Sequence, residues 1–158
     1  MTRLRLLISC LLLISFAGCS GENREAQRLV RAYNDAVIQA YRSGDTGRLA
    51  DVAGDRELRI ITTLLDVKRS AGLVLEATLE SLQVTGVEKA GAGDMTVETQ
   101  ERWSYQDRSL APGAPPGRLI RADMAMRYSC AREGGKWKVI RVATVSNTVE
   151  GGGEGKKQ

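Results

Sequence analysis

The chain has 158 residues, 23 Lys and Arg against 19 Asp and Glu, three cysteines and no histidine. The length fits one domain, and a net charge of +4 is too mild for a nucleic-acid footprint, so no nucleic-acid partner is expected. The missing histidine excludes a Ser-His-Asp or Cys-His catalytic site and every His-containing metal centre.

Arg3 and Arg5 lead into Leu6–Phe16, apolar apart from Ser9 and Ser15, and the chain turns polar straight after Cys19. An eleven-residue run rises about 1.5 Å per residue and covers only about half of a roughly 30 Å hydrocarbon core. A charged start, a short apolar run and small residues at its end describe an export signal. Phe16-Ala17-Gly18-Cys19 resembles the lipobox of bacterial lipoproteins, with Phe16 where Leu is usual. The resemblance implies a thioether-linked diacylglyceryl group on Cys19 and cleavage between Gly18 and Cys19. It also implies a lipid-anchored protein of the cell envelope. Ser20 follows the cysteine where Asp would imply retention at the inner membrane. An outer-membrane site facing the periplasm is therefore expected in a Gram-negative host. An ordinary signal peptide with a chance Cys, or an uncleaved anchor, is the alternative.

Loss of residues 1–18 takes two arginines and no acid, leaving 140 residues of net charge +2. With Cys10 in the signal and Cys19 lipidated, Cys130 has no disulfide partner within the chain. Without a histidine to activate it, its thiol reads as a buried core group. No cofactor and no metal are expected.

Residues 19–24 read as a tether, 25–148 as the domain and 149–158 as a low-complexity disordered tail. From Glu25 to Arg42 the apolar residues Ala26, Leu29, Val30, Tyr33, Val37, Ala40 and Tyr41 recur at helical spacing, with Arg31, Asn34, Asp35 and Arg42 largely off the stripe. Ser43-Gly44 stops this helix. Asp45 caps a second, Thr46 to Ala53, and Gly54-Asp55 repeats the signal before a third, from about Arg56 to Ser70. The period then changes to two. Leu75, Ala77 and Leu79 alternate with polar residues, and the phase slips near Ser81, as at a β-bulge that bends a sheet. Further strands are expected over Met95–Tyr105, Arg118–Ala131 and Lys136–Val145. Gly134-Gly135 makes a tight hairpin, and a Pro/Gly loop covers Leu110–Gly117.

Three helices followed by a bent antiparallel meander make an α+β fold, with helices covering one face of a curved four-stranded sheet. Val30–Val145 resembles the NTF2-like, or cone, superfamily. The carrying residues are the first helix ending YRSGD, the segment GRLADVAGD and the late EGGKWKVIRV. Within it the element order is similar to the intermembrane-space domain of plastid-division proteins. The superfamily hosts isomerases, dehydratases, binding modules and scaffolds, so the resemblance selects no function.

A cone fold often leaves a pocket between its sheet and first helix. Met95, Val97, Thr99, Glu101, Trp103 and Tyr105 share one face of the second strand, with Glu101 in the middle of the apolar set. Burial disfavours a carboxylate's charged form unless a cation reaches it, and raised carboxyls serve as general bases. Glu101 is therefore a candidate base. It could equally meet water, pair with an Arg or bond backbone. Tyr33 and Tyr128 are candidate donors beside it. Trp103, Met124, Met126 and Tyr128 could wall an apolar ligand pocket, and they suit a plain core as well.

The function expected is a membrane-tethered, non-catalytic binding or scaffold module; the alternatives are an isomerase- or dehydratase-type enzyme using Glu101 and a carrier of a small apolar ligand. The expected partners are the membrane, through Cys19, and an envelope protein or cell-wall polymer. The outer sheet face carries Glu98, Arg102, Arg121, Asp123 and Arg127. A charged face of this kind leans towards a monomer rather than a sheet-to-sheet dimer.

Overall fold

A computed structural model describes residues 19–150. The expected export signal, 1–18, and residues 151–158 of the expected tail lie outside the described residues. Three helices, α1 (Cys19–Ser43), α2 (Gly47–Val52) and α3 (Asp55–Ser70), precede four strands, β1 (Leu73–Ala90), β2 (Asp94–Ser109), β3 (Ile120–Glu133) and β4 (Lys136–Glu150). The strands form one antiparallel meander in the order β1-β2-β3-β4.

Two boundaries differ most from expectation. Helix α1 begins at Cys19, so the segment read as a tether is helical. Ser20, Gly21 and Asn23 are weak helix formers, but no proline interrupts them and the apolar stripe that starts at Ala26 anchors the helix they extend. Strand β4 runs to Glu150, past Val145, because β-branched Val145, Thr148 and Val149 suit a strand and residues 146–150 pair with the start of β3.

The helix stops follow glycine chemistry. Gly44, at φ 72°, takes the left-handed conformation and its N–H reaches the Ala40 carbonyl at 2.7 Å. Asp45 Oδ1 then accepts the Gly47 N–H at 2.9 Å, which starts α2.

Sheet curvature has an equally local origin. The register of β1 on β2 slips between Leu79 and Ser81 and again between Val84 and Gly86. Each slip inserts one unpaired residue and bends the strand. The first lies where the alternation in sequence breaks, and it returns Leu82 and Val84 to the inner face. Two more slips mark the β3–β4 pairing. The sheet thereby curls over α1, whose Ala26, Val30, Tyr33, Val37 and Ala40 are buried against Met95, Val97, Tyr128, Cys130 and Val139. Leu49 of α2 and Ile61 and Leu65 of α3 complete the core.

Edge strand β4 is partly covered. Ala53 forms a parallel bridge to Val139, and the Gly54 N–H donates to the Val139 carbonyl at 2.8 Å. Trp137, from the EGGKWKVIRV segment, lies under the Arg132 guanidinium, 5.0 Å from its ring centroid.

The outer face is charged and internally matched. Arg102 pairs with Asp123, Arg108 with Glu76 and Arg127 with Glu98, each at 2.7 Å, and Arg121 lies 3.6 Å from Glu80. These exposed pairs contribute little to stability. They leave less uncompensated basic charge on this face than the arginines alone suggest.

Candidate functional site

Strand parity places Met95, Val97, Thr99, Glu101 and Trp103 together, and all five are buried. Glu101, 3% exposed, is the expected carboxylate on the apolar face, and among the described residues no cation pairs with it. Neutral donors do. Thr99 and Trp103 flank it at i−2 and i+2 on the same face. The Thr99 hydroxyl donates to Oε1 and the Trp103 indole N–H to Oε2, each at 2.7 Å. The Tyr128 hydroxyl donates to Oε1 at 2.7 Å, and the Asn34 amide lies 3.5 Å from the same atom. Asn34 also contacts the Tyr128 hydroxyl at 3.2 Å. Three short bonds to an ionisable acceptor are the strong kind, and they hold both oxygens.

A cavity of about 240 Å³ opens beside this network. Helix α1 lines it with Tyr33, Asn34, Val37 and Tyr41, and α3 with Glu57, Ile60 and Ile61. The sheet adds Glu101, Trp103 and Tyr105 from β2, Met126 and Tyr128 from β3, and Val142 from β4. Ile60, 48% exposed, stands at its rim.

Glu57 is the second carboxylate here. It is 4% exposed and on the same helical stripe as Ile61 and Leu65. Its Oε1 accepts the Val142 backbone N–H at 3.2 Å, and its Oε2 accepts the Tyr33 hydroxyl at 3.4 Å. Those two bonds are long, and they leave acceptor capacity on a side chain facing the cavity.

Burial above all raises the phenols of the site, those of Tyr33, Tyr105 and Tyr128 far beyond their ordinary range. Glu57 adds to the effect at Tyr33 and Tyr41, and Glu101 at Tyr128. For Tyr105, burial is followed by Tyr41 and then Glu101. Tyr33 and Tyr128 also pack edge to face, 6.0 Å between centroids, while Trp103 stacks on Tyr105 at 5.7 Å. All four phenols are thus fixed as neutral groups.

The structure brings together Tyr33, Glu101, Trp103, Met126 and Tyr128 of the residues singled out from sequence. Met124 does not line the cavity. It pairs opposite Glu101, and its Sδ lies 4.0 Å from the Tyr105 hydroxyl. Tyr33, expected beside Glu101, bonds Glu57 instead. Asn34 was placed off the apolar stripe, yet it is 3% exposed and part of the Glu101 network. Its position, four after Val30 and three before Val37, is a stripe position. Glu57, four before Ile61, carried the same signal and sequence reasoning missed it.

Cys130 is buried, and burial pushes its thiol up to about 12. Among the described residues no group of three or more His, Cys, Asp or Glu could hold a metal ion. No described helix is long and apolar enough to cross a membrane.

No family model matches the chain, and no curated protein matches it in sequence. Solved structures do. The intermembrane-space region of the chloroplast protein ARC6 superposes with a TM-score of 0.68 at 22% identity, over 77% of this chain and 95% of that one. Two hexachlorocyclohexane dehydrochlorinases follow at 15% identity. LinA type 2 has a TM-score of 0.54 over 84% of this chain and 95% of its own. LinA type 3 from Novosphingobium barchaimii LL02 has 0.53 over 84% and 96%. Three helices on a curled four-stranded antiparallel sheet, with these neighbours, make the domain an NTF2-like cone fold.

Proposed function

We propose that the chain is a lipid-tethered envelope module that binds a small ligand in its cone without transforming it. One observation carries this reading. The carboxylate at the centre of the inner face is held at both oxygens by internal donors, while the cavity beside it stays open. A general base needs an oxygen free to approach a substrate proton. Glu101 has both oxygens engaged by short bonds, which suits a structural hub that fixes Trp103 and Tyr128 in the wall. The tether rests on Phe16-Ala17-Gly18-Cys19. With helix α1 beginning at Cys19, an acyl group there would seat the domain close to the bilayer. Two or three chains hold far better than one. An envelope protein or cell-wall polymer is the partner such a position favours.

Glu101→Gln separates this reading from an isomerase- or dehydratase-type enzyme using Glu101 as base. Replacing a hydrogen-bonded buried anion by an amide should cost about 2 kcal/mol or more, read as a shift in the urea midpoint. A residue kept for catalysis at the expense of stability behaves the other way. A variant as stable as the parent, or more so, would remove the hub and the binding reading with it.

A further inference from the structure

Resting on the binding reading above, we infer that the cavity takes a small organic cation, an amine or quaternary ammonium group, with Glu57 as its counter-ion. Two carboxylates line the cavity and no Lys or Arg does. Glu101 has both oxygens held by three short bonds. Glu57 does not. A carboxylate buried to 4% exposure, with only a 3.2 Å backbone bond and a 3.4 Å phenol bond, is short of partners. A buried charge in that condition is costly and calls for an opposite charge.

The rest of the wall suits the same guest. Tyr33, Tyr41, Trp103, Tyr105 and Tyr128 bring five rings to one cavity, and aromatic faces attract desolvated cations. Raised phenols keep these rings neutral. Tyr41 also lines the cavity, and among the described residues its hydroxyl has no hydrogen-bond partner, so it is available to an ammonium N–H or to a ligand hydroxyl. Val37, Ile60 and Ile61 give the alkyl part of such a ligand an apolar surface. An anionic guest would face two acids and no base, and a neutral apolar guest would leave Glu57 buried and unanswered.

The test pairs cations with neutral counterparts of the same shape. The full chain is titrated by calorimetry with choline against 3,3-dimethylbutan-1-ol, and with butylammonium against butan-1-ol. At least one cation should bind about tenfold or more tighter than its alcohol, a preference of the size expected for a desolvated cation among rings and a carboxylate. Glu57→Gln should abolish that preference while leaving the alcohol's affinity unchanged. The parent-chain comparison needs no variant, so a Glu57→Gln chain that fails to fold does not shelter the inference. Alcohols binding as well as or better than the cations would overturn the cation assignment and leave the binding module standing. No heat from any of the four probes would count against both.

Discussion

At the scale of single residues, the site is a set of neutral donors arranged round two acids. The chain has four tyrosines, at positions 33, 41, 105 and 128, and all four line the cavity. Burial raises every one of them, and it raises Cys130 to about 12. The linkage has one sign. Below about pH 7.5 the thiol and the phenols are protonated in folded and unfolded chains alike, so they leave stability unchanged. Above it the unfolded chain loses protons first, and stability falls as pH rises through the ordinary phenol range. Tyrosinate absorbance in the ultraviolet should therefore stay silent near pH 10 in the folded protein. It should appear together with loss of the circular dichroism signal. A smooth titration near pH 10 with the fold intact would show that the phenols face water.

At the scale of elements, much was legible because punctuation is local. Gly44 and the Gly134-Gly135 pair act through their own backbone, Asp45 through a side-chain bond two residues on, and the slip near Ser81 is written in the alternation of β1 itself. The hairpin gives a direct check. Gly134 and Gly135 sit at φ 58° and 81° between the paired residues Glu133 and Lys136. A two-residue turn with both φ positive matches strand twist and favours glycine. Gly135→Ala should lower stability by about 1 kcal/mol, measured by urea unfolding. An unchanged midpoint would mean that the β3–β4 turn does not hold this geometry. What stayed illegible depends on partners distant in sequence. Asn34 and Glu57 occupy apolar-stripe positions, but periodicity treats a polar residue there as a break in the pattern. Only the fold brings Asn34 to Glu101 and Tyr128, and Glu57 to the edge amide of Val142. Strand parity did place Glu101 inward, yet which donors would meet it was set by β3 and α1.

At the scale of the whole molecule, the curled sheet and three helices leave an aromatic, acid-lined cavity at one side of the cone. Its neighbours in fold include a chloroplast protein region and dehydrochlorinases. The same scaffold thus serves different ends, and the groups on the inner wall must decide between them. Here those groups are Glu101, held at both oxygens, and Glu57, with two longer bonds. Intact mass spectrometry of the membrane-extracted chain, under conditions that keep non-covalent ligands, reads anchor and occupant together. The expected spectrum is a chain beginning at Cys19, heavier by a diacylglyceryl group, with a second series displaced by one reproducible small mass that vanishes on denaturation. An unmodified chain with an empty cavity in every preparation would contradict a tethered ligand-binding module.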